Sequence, residues 1–146
     1  MRRVERSARI GAAPEVLFDY LANLDNVVEW QSGVVSAEHA SGGQLGIGST
    51  ARIVREMMGR RFEAPVTVTG FEPPRRLELG SEISGVRATL ELSLAEAGTS
   101  ATELGIAMEI RGSMMTAFME PMIAGAAGGD IDESLRRLSE RFPPSA

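Results

Sequence analysis

The chain has no cysteine, no lysine, one histidine and one tryptophan, and aromatic residues make up only 5% of it. Without cysteine there are no disulfides, no thiolate nucleophiles and no thiolate metal sites, a composition compatible with a reducing cytoplasm. With a single histidine, His39, beside the Gly42-Gly43 turn, a Ser-His-Asp triad would have to recruit a loop residue. Metal sites would be left to carboxylates, and Asp130 with Asp132 lacks the calcium-loop pattern. No Gly-x-Ser-x-Gly elbow and no phosphate loop occurs. These absences imply no cofactor and no metal.

Charge narrows the field further. Every basic residue is arginine, and fifteen of them face twenty acidic residues, for a net charge of −5. A general phosphate-backbone binder would lean the other way, so nucleic acid is not an expected partner. The basic start Met1-Arg2-Arg3 is followed by Val4-Glu5-Arg6-Ser7-Ala8-Arg9, not by the apolar core of a signal sequence. Stable membrane insertion is therefore not expected, and the location read from the chain is cytoplasmic. Monomer and homodimer are equally compatible with the composition.

What is present is one domain's worth of patterned sequence, residues 1–146, long enough to own a core and still enclose a cavity. Val4, Ala8 and Ile10 share a parity and predict a first strand over Arg3–Ile10. Pro14 suits a helix's first turn, and Val16, Leu17, Tyr20, Leu21 and Leu24 recur at three and four, which predicts a helix from Pro14 to about Ala22. Asn23 to Ser32 carries large apolar anchors in polar surroundings and reads as a second short helix or a structured turn.

Six more strands follow: Val34–Ala40, Ser49–Met58, Arg61–Phe71, Arg76–Ile83, Val86–Ala95 and Ser100–Ile110, separated by glycine-, proline- and serine-rich breaks. Val86, Ala88, Leu90, Leu92 and Leu94 alternate with Arg87, Thr89, Glu91 and Ser93, so one face is buried and the other wet. Short breaks between strands favour an antiparallel meander. Ile131, Leu135, Leu138 and Phe142, spaced by four, three and four, predict a long closing helix. The fold class is α+β, a curved seven-stranded antiparallel sheet wrapped around a long C-terminal helix, with two short helices between the first two strands.

Half of the eight methionines fall in Ser113-Met114-Met115-Thr116-Ala117-Phe118-Met119-Glu120-Pro121-Met122. A proline deep inside a helix removes a backbone bond and clashes with the turn before it, so Pro121 marks a restart. Ser113–Met119 is then a mobile lead-in and the regular helix runs from about Pro121 to Arg141. On this reading Met115, Phe118, Met119, Met122 and Ala126 face the sheet, as an adaptable cavity wall or as simple core filling. Gly125, Gly128 and Gly129 suggest close approach to the sheet, a bend, or a break capped by Asp130.

On the strand Ser49–Met58 the more apolar parity, Ala51, Ile53 and Met57, also contains Arg55. If that parity faces inward, Arg55 is a guanidinium in an apolar cavity, in need of an acidic partner. If the register slips by one, Arg55 meets water and Arg52 and Glu56 turn inward. Trp30 reads as an anchor of the small helices on the sheet rim, with ligand contact as its other role. Tyr20 reads as helix packing.

Three segments occur in order along the chain: Ile10-Gly11-Ala12-Ala13-Pro14-Glu15-Val16-Leu17-Phe18-Asp19-Tyr20-Leu21 with Asp25 and Trp30 before Gly33-Val34, then Phe71-Glu72-Pro73-Pro74-Arg75-Arg76-Leu77, then Leu92-Ser93-Leu94 with Gly98-Thr99. Together they resemble the START-like, or SRPBCC, superfamily, and most closely its polyketide cyclase/dehydrase-like branch. The resemblance covers nearly the whole chain. It implies a helix-grip fold with a deep apolar cavity between sheet and long helix. Two places depart from the pattern: Trp30 is followed by Gln31-Ser32 where a polar residue and proline are common, and the closing helix is rich in Met and Gly. Both lie where a pocket mouth would be.

Three functions stay open. The first is binding of a small hydrophobic molecule, a lipid, quinone or polyketide, lined by Trp30, Phe62, Leu90, Met108, Met115, Phe118, Met119 and Met122 and oriented by Arg55. The second is a cyclase or dehydratase in the same cavity, with Arg55 or Glu56 assisting proton transfer. The third is an accessory subunit of a redox or membrane complex.

Overall fold

The computed structural model describes residues 1–39, 45–57, 59–83 and 85–144, and the side chains of His39, Met57 and Ile83 lie outside that description. Seven strands form one antiparallel sheet: β1 (Arg2–Ile10), β2 (Val34–His39), β3 (Thr50–Met57), β4 (Arg60–Glu72), β5 (Arg76–Ile83), β6 (Val86–Glu96) and β7 (Thr102–Gly112). Their spatial order is β1-β7-β6-β5-β4-β3-β2. The meander from β2 to β7 is thus unbroken, and β1 closes it by pairing with β7, Val4 opposite Met108 and Ala8 opposite Leu104. Helix α1 (Pro14–Leu21), a 3-10 turn (Leu24–Asn26) and α2 (Val27–Trp30) connect β1 to β2, and α3 (Glu120–Arg141) ends the chain. The seven-stranded sheet and the long closing helix are those read from periodicity.

Alternation places one face of the sheet inside. Ala51 and Ile53 of β3, Ala64, Val66 and Val68 of β4, Leu90, Leu92 and Leu94 of β6 and Leu104 and Ile106 of β7 are buried, each set on one parity. The opposite face carries ion pairs, among them Arg76 with Glu78 at 2.5 Å and Glu91 at 2.9 Å, and Arg52 with Glu63 at 2.7 Å. Arg87, Thr89, Glu91 and Ser93, expected on the wet face, alternate with the buried set along β6, as Glu103 and Glu109 do along β7.

Helix α3 lies across β1 and β7 and buries Ala127, Gly128, Ile131, Ser134, Leu135 and Leu138. Pro121 stands in its first turn, where a missing N–H costs least. The helix runs unbroken through Gly128-Gly129, so neither a break nor an Asp130 cap occurs there. At Gly128 a Cβ would meet Arg6 Nη2 at 3.4 Å and Val4 Cγ1 at 3.6 Å, whereas at Gly125 and Gly129 there is open space. Of the three expected close approaches, only that at Gly128 is therefore a contact with the sheet.

The two ends of α3 are held differently. At its C-terminal end the Gly11 N–H donates to Phe142 O at 2.8 Å, and a Cβ on Gly11 would fall 2.0 Å from Pro143 O. Tyr20 meets Phe142 edge to face at 5.2 Å, with the Arg141 guanidinium 4.8 Å above the Tyr20 ring, the packing role expected of that tyrosine. At the N-terminal end the Glu120 carboxylate accepts from the Gly112 N–H at 2.8 Å and pairs with the Met1 ammonium at 2.8 Å. Hydrogen bonding holds the Glu120 carboxyl below the usual carboxylate range.

Candidate binding site between the sheet and the long helix

The site starts from a turn that one glycine permits. Gly33, at φ 89°, sits in the left-handed region and lets the chain leave α2 and enter β2 at once. The turn Gln31-Ser32-Gly33 is thereby laid against the middle of α3. There the Ser32 N–H donates to Ser134 Oγ at 2.9 Å, Ser32 Oγ donates to Asp130 Oδ1 at 3.1 Å, and Ser134 Oγ donates to Asp130 O at 2.7 Å. A Cβ on Gly33 would lie 3.1 Å from Asp130 Oδ2, so glycine also makes room for that carboxylate.

Two small spaces lie on the inner face of the sheet, the second of them at this junction. The first is apolar and is bordered by Leu21, Val27, Trp30, Ile53, Val68 and Leu92, among others. The second lies between α2, β3, the β6–β7 pair and α3, and Trp30, Gln31, Arg55, Leu90, Met108 and Asp130 border it. Trp30 borders both. A water-sized sphere can be centred in only about 10 Å³ of the first and 20 Å³ of the second. That is the room of roughly one water molecule each, so the walls must part before either space holds a larger molecule.

Arg55 projects from the inner face of β3, opposite Phe62 of β4, and borders the second space. Burial lowers its pKa from the ordinary arginine value, and the charge of Asp130 opposes that shift. Asp130 shows the converse: burial raises its carboxyl, against the Ser32 hydrogen bond and the charges of Arg55 and Arg137. Among the described residues, no carboxylate comes within the 4.0 Å of an ion pair to Arg55. Beside them, Trp30 is 3% and Gln31 6% exposed, yet among the described residues Trp30 Nε1 and Gln31 Oε1 have no hydrogen-bond partner.

The residues proposed from sequence separate into two groups. Trp30, Arg55, Leu90 and Met108 come together around the second space, and Phe62 is half-buried next to Arg55 across the strand pair. The methionine-rich stretch goes elsewhere: Met115 is 85%, Phe118 79% and Met122 54% exposed, and Met119 is half-buried. Helical phase explains the correction. Met122 is nine residues from Ile131, about two and a half turns, which points it away from the sheet when Ile131 points in. Glu56 is on the outer face and pairs with Arg61 at 3.1 Å, away from Arg55's space.

Gln31, Ser32, Asp130 and Ser134 were not anticipated as a group. One signal was available: Gln31-Ser32 is where the chain departs from the family pattern after Trp30. Ser113–Met119, expected as a mobile lead-in, forms turns and a 3-10 segment (Ala117–Met119), with Ser113 N and Thr116 Oγ1 both donating to Gly85 O. Among the described residues no group of acidic residues and histidine has the arrangement of a metal site.

Residues 1–143 match the family described as polyketide cyclase/dehydrase and lipid transport. The chain belongs to that family. It is 28% identical over 145 residues to the uncharacterized protein Rv1546 of Mycobacterium tuberculosis, a match covering 97% of this chain and 99% of that one. Among solved structures it resembles a START superfamily protein from Mycobacterium smegmatis, with a TM-score of 0.77 at 14% identity over 96% of both chains. It also resembles the Zhui aromatase/cyclase from Streptomyces sp. R1128, with a TM-score of 0.78 at 13% identity over 96% of this chain and 92% of that one. These likenesses show the START, or helix-grip, fold. Among the described residues no helix is long and apolar enough to cross a membrane.

Proposed function

We propose that this member of the polyketide cyclase/dehydrase and lipid transport family binds a small hydrophobic molecule, a lipid, quinone or polyketide, between the sheet and α3. The observation that carries the reading is a pair of spaces that share Trp30 on their walls: an apolar one walled by Leu21, Val27, Ile53, Val68 and Leu92, and a second with Arg55 on its wall. Apolar walls with a few convergent polar groups are the usual form of a small-molecule site. Trp30, Arg55, Phe62, Leu90 and Met108 are its proposed residues, with Met119 at the half-buried start of α3. The protein acts in the cytoplasm on this reading, without a cofactor.

Trp30 is the chain's single tryptophan and borders both spaces, so its fluorescence is a built-in reporter. Saturable quenching, with a rise in melting temperature, is expected from at least one member of a panel of lipids, quinones and aromatic polyketides. A panel that changes neither signal overturns the reading.

An enzymatic reading has its own support. Arg55 and Asp130 border one space, and each is shifted toward its uncharged form, as groups that exchange protons in a closed site often are. On this alternative the cavity folds a reactive chain while these two side chains assist proton transfer, as a cyclase or dehydratase requires. Turnover of an aromatic polyketide precursor that survives both Arg55→Ala and Asp130→Asn would remove them from the chemistry.

A further inference from the structure

We infer that the space bordered by Trp30, Gln31 and Arg55 receives the polar end of a hydroxy acid, its carboxylate on Arg55 and Trp30 Nε1 and its hydroxyl donating to Gln31 Oε1. This rests on the binding reading above and names the ligand class for it.

The argument is one of unmet hydrogen-bonding demand. Buried polar side-chain atoms are nearly always paired, because leaving one unpaired forfeits its hydration with no return. Here two such atoms belong to consecutive residues that border one space, one a donor and one an acceptor. A guanidinium without an ion-pair partner among the described residues borders the same space. Two kinds of donor, on Arg55 and Trp30, share the border of one space with an acceptor on Gln31, which asks for an acceptor-rich group and, next to it, a single hydroxyl. A charged acceptor answers a guanidinium better than a neutral one. A plain hydrocarbon would leave all three unanswered.

Asp130 is the opposing charge. It borders the space too, but its Oδ1 already accepts from Ser32, and Arg137 lies near enough to act on it electrostatically. The apolar remainder of the ligand extends past Trp30 into the space walled by Leu21, Ile53 and Leu92. The residue after Trp30 thereby acquires a purpose: the carboxamide of Gln31 reads the hydroxyl.

Four ligands separate the contributions: 3-hydroxydecanoate, decanoate without the hydroxyl, methyl 3-hydroxydecanoate without the charge, and methyl decanoate without either. In calorimetric titrations of the intact chain, removing the hydroxyl or the charge is expected to weaken binding by about tenfold each. Gln31→Leu brings 3-hydroxydecanoate to the level of decanoate, and Arg55→Gln abolishes the preference for acid over ester. Asp130→Asn tightens both acids and leaves the esters unchanged. Equal affinity for all four ligands overturns the hydroxy-acid assignment and leaves hydrophobic binding standing. Tighter binding of the esters overturns the charged contact, and silence from all four overturns both readings for chains of this length. The wild-type series needs no variant, so the outcome does not depend on a mutant that fails to fold.

Discussion

The two halves of α3 are built to different rules. From Ile131 to Leu138 the inward positions are, apart from Ser134, the large aliphatic Ile131, Leu135 and Leu138, which belong to a core that includes Phe18, Leu92 and Leu104. From Glu120 to Gly129 the inward positions are a carboxylate and small residues, Glu120, Ala127 and Gly128, while Met122 faces solvent. The same sheet is thus gripped tightly at one end and covered thinly at the other. The polar junction at Asp130 marks the change from one half to the other, and the space bordered by Arg55 opens there.

Substitution sharpens this contrast. Phe18 is buried and packs edge to face on Phe71 at 5.5 Å, so Phe18→Ala, at the tight end, is expected to cost about 3–5 kcal/mol in denaturant unfolding. An effect below 1 kcal/mol would mean that this end is not the stabilising one. In the thin half the sign reverses. Gly125→Ala and Gly129→Ala enter open space in a regular helix and should each stabilise by up to about 1 kcal/mol, read as a higher melting temperature. Destabilisation at both positions would show that the helix is not regular there.

At the junction the expected effect is a pH dependence. The Asp130 carboxyl is raised above its ordinary value of 3.8, so its protonated form is favoured in the folded state more than in the unfolded one. Stability from this group is present below the ordinary value and is lost as pH rises through the raised one. Asp130→Asn should flatten that part of the stability profile in parallel melts across mildly acidic pH, and an unchanged slope would assign it to other groups. The smallest effect belongs to the exposed stretch. Met115→Ser with Phe118→Ser should shift stability by no more than about 0.5 kcal/mol, because neither side chain is in the core. A loss above 2 kcal/mol would return these residues to the core.

The parts legible in the sequence are those governed by a repeating local rule. The parity of β6 and β7, the spacing of Ile131, Leu135 and Leu138 and the proline starts of α1 and α3 each state their structure within a dozen residues. The inward parity of Arg55 was legible for the same reason, since Ala51 and Ile53 flank it on one face of β3. The polar junction was not, because Ser32 meets Asp130 and Ser134 across about a hundred residues, through a turn whose docking depends on tertiary packing. The spacing within the methionine stretch does not report the inward face of α3, because Met115 and Phe118 precede the helix and Met122 is out of phase with Ile131. Projecting the phase backward from Ile131 puts Met122 on the outer side.

The hydrogen bond from Gly11 to Phe142, with Tyr20 seated on the Phe142 ring, makes the far end of α3 a pivot. A helix of 22 residues extends about 33 Å from that point at 1.5 Å per residue. Rotation by about 5° around the pivot would carry the Glu120 end through roughly 3 Å while moving Leu138 by less than about 1 Å, so a small angle opens one end and leaves the other closed. In mechanical terms the long helix would act as a lever with its fulcrum at Gly11, where a Cβ would fall 2.0 Å from Pro143 O.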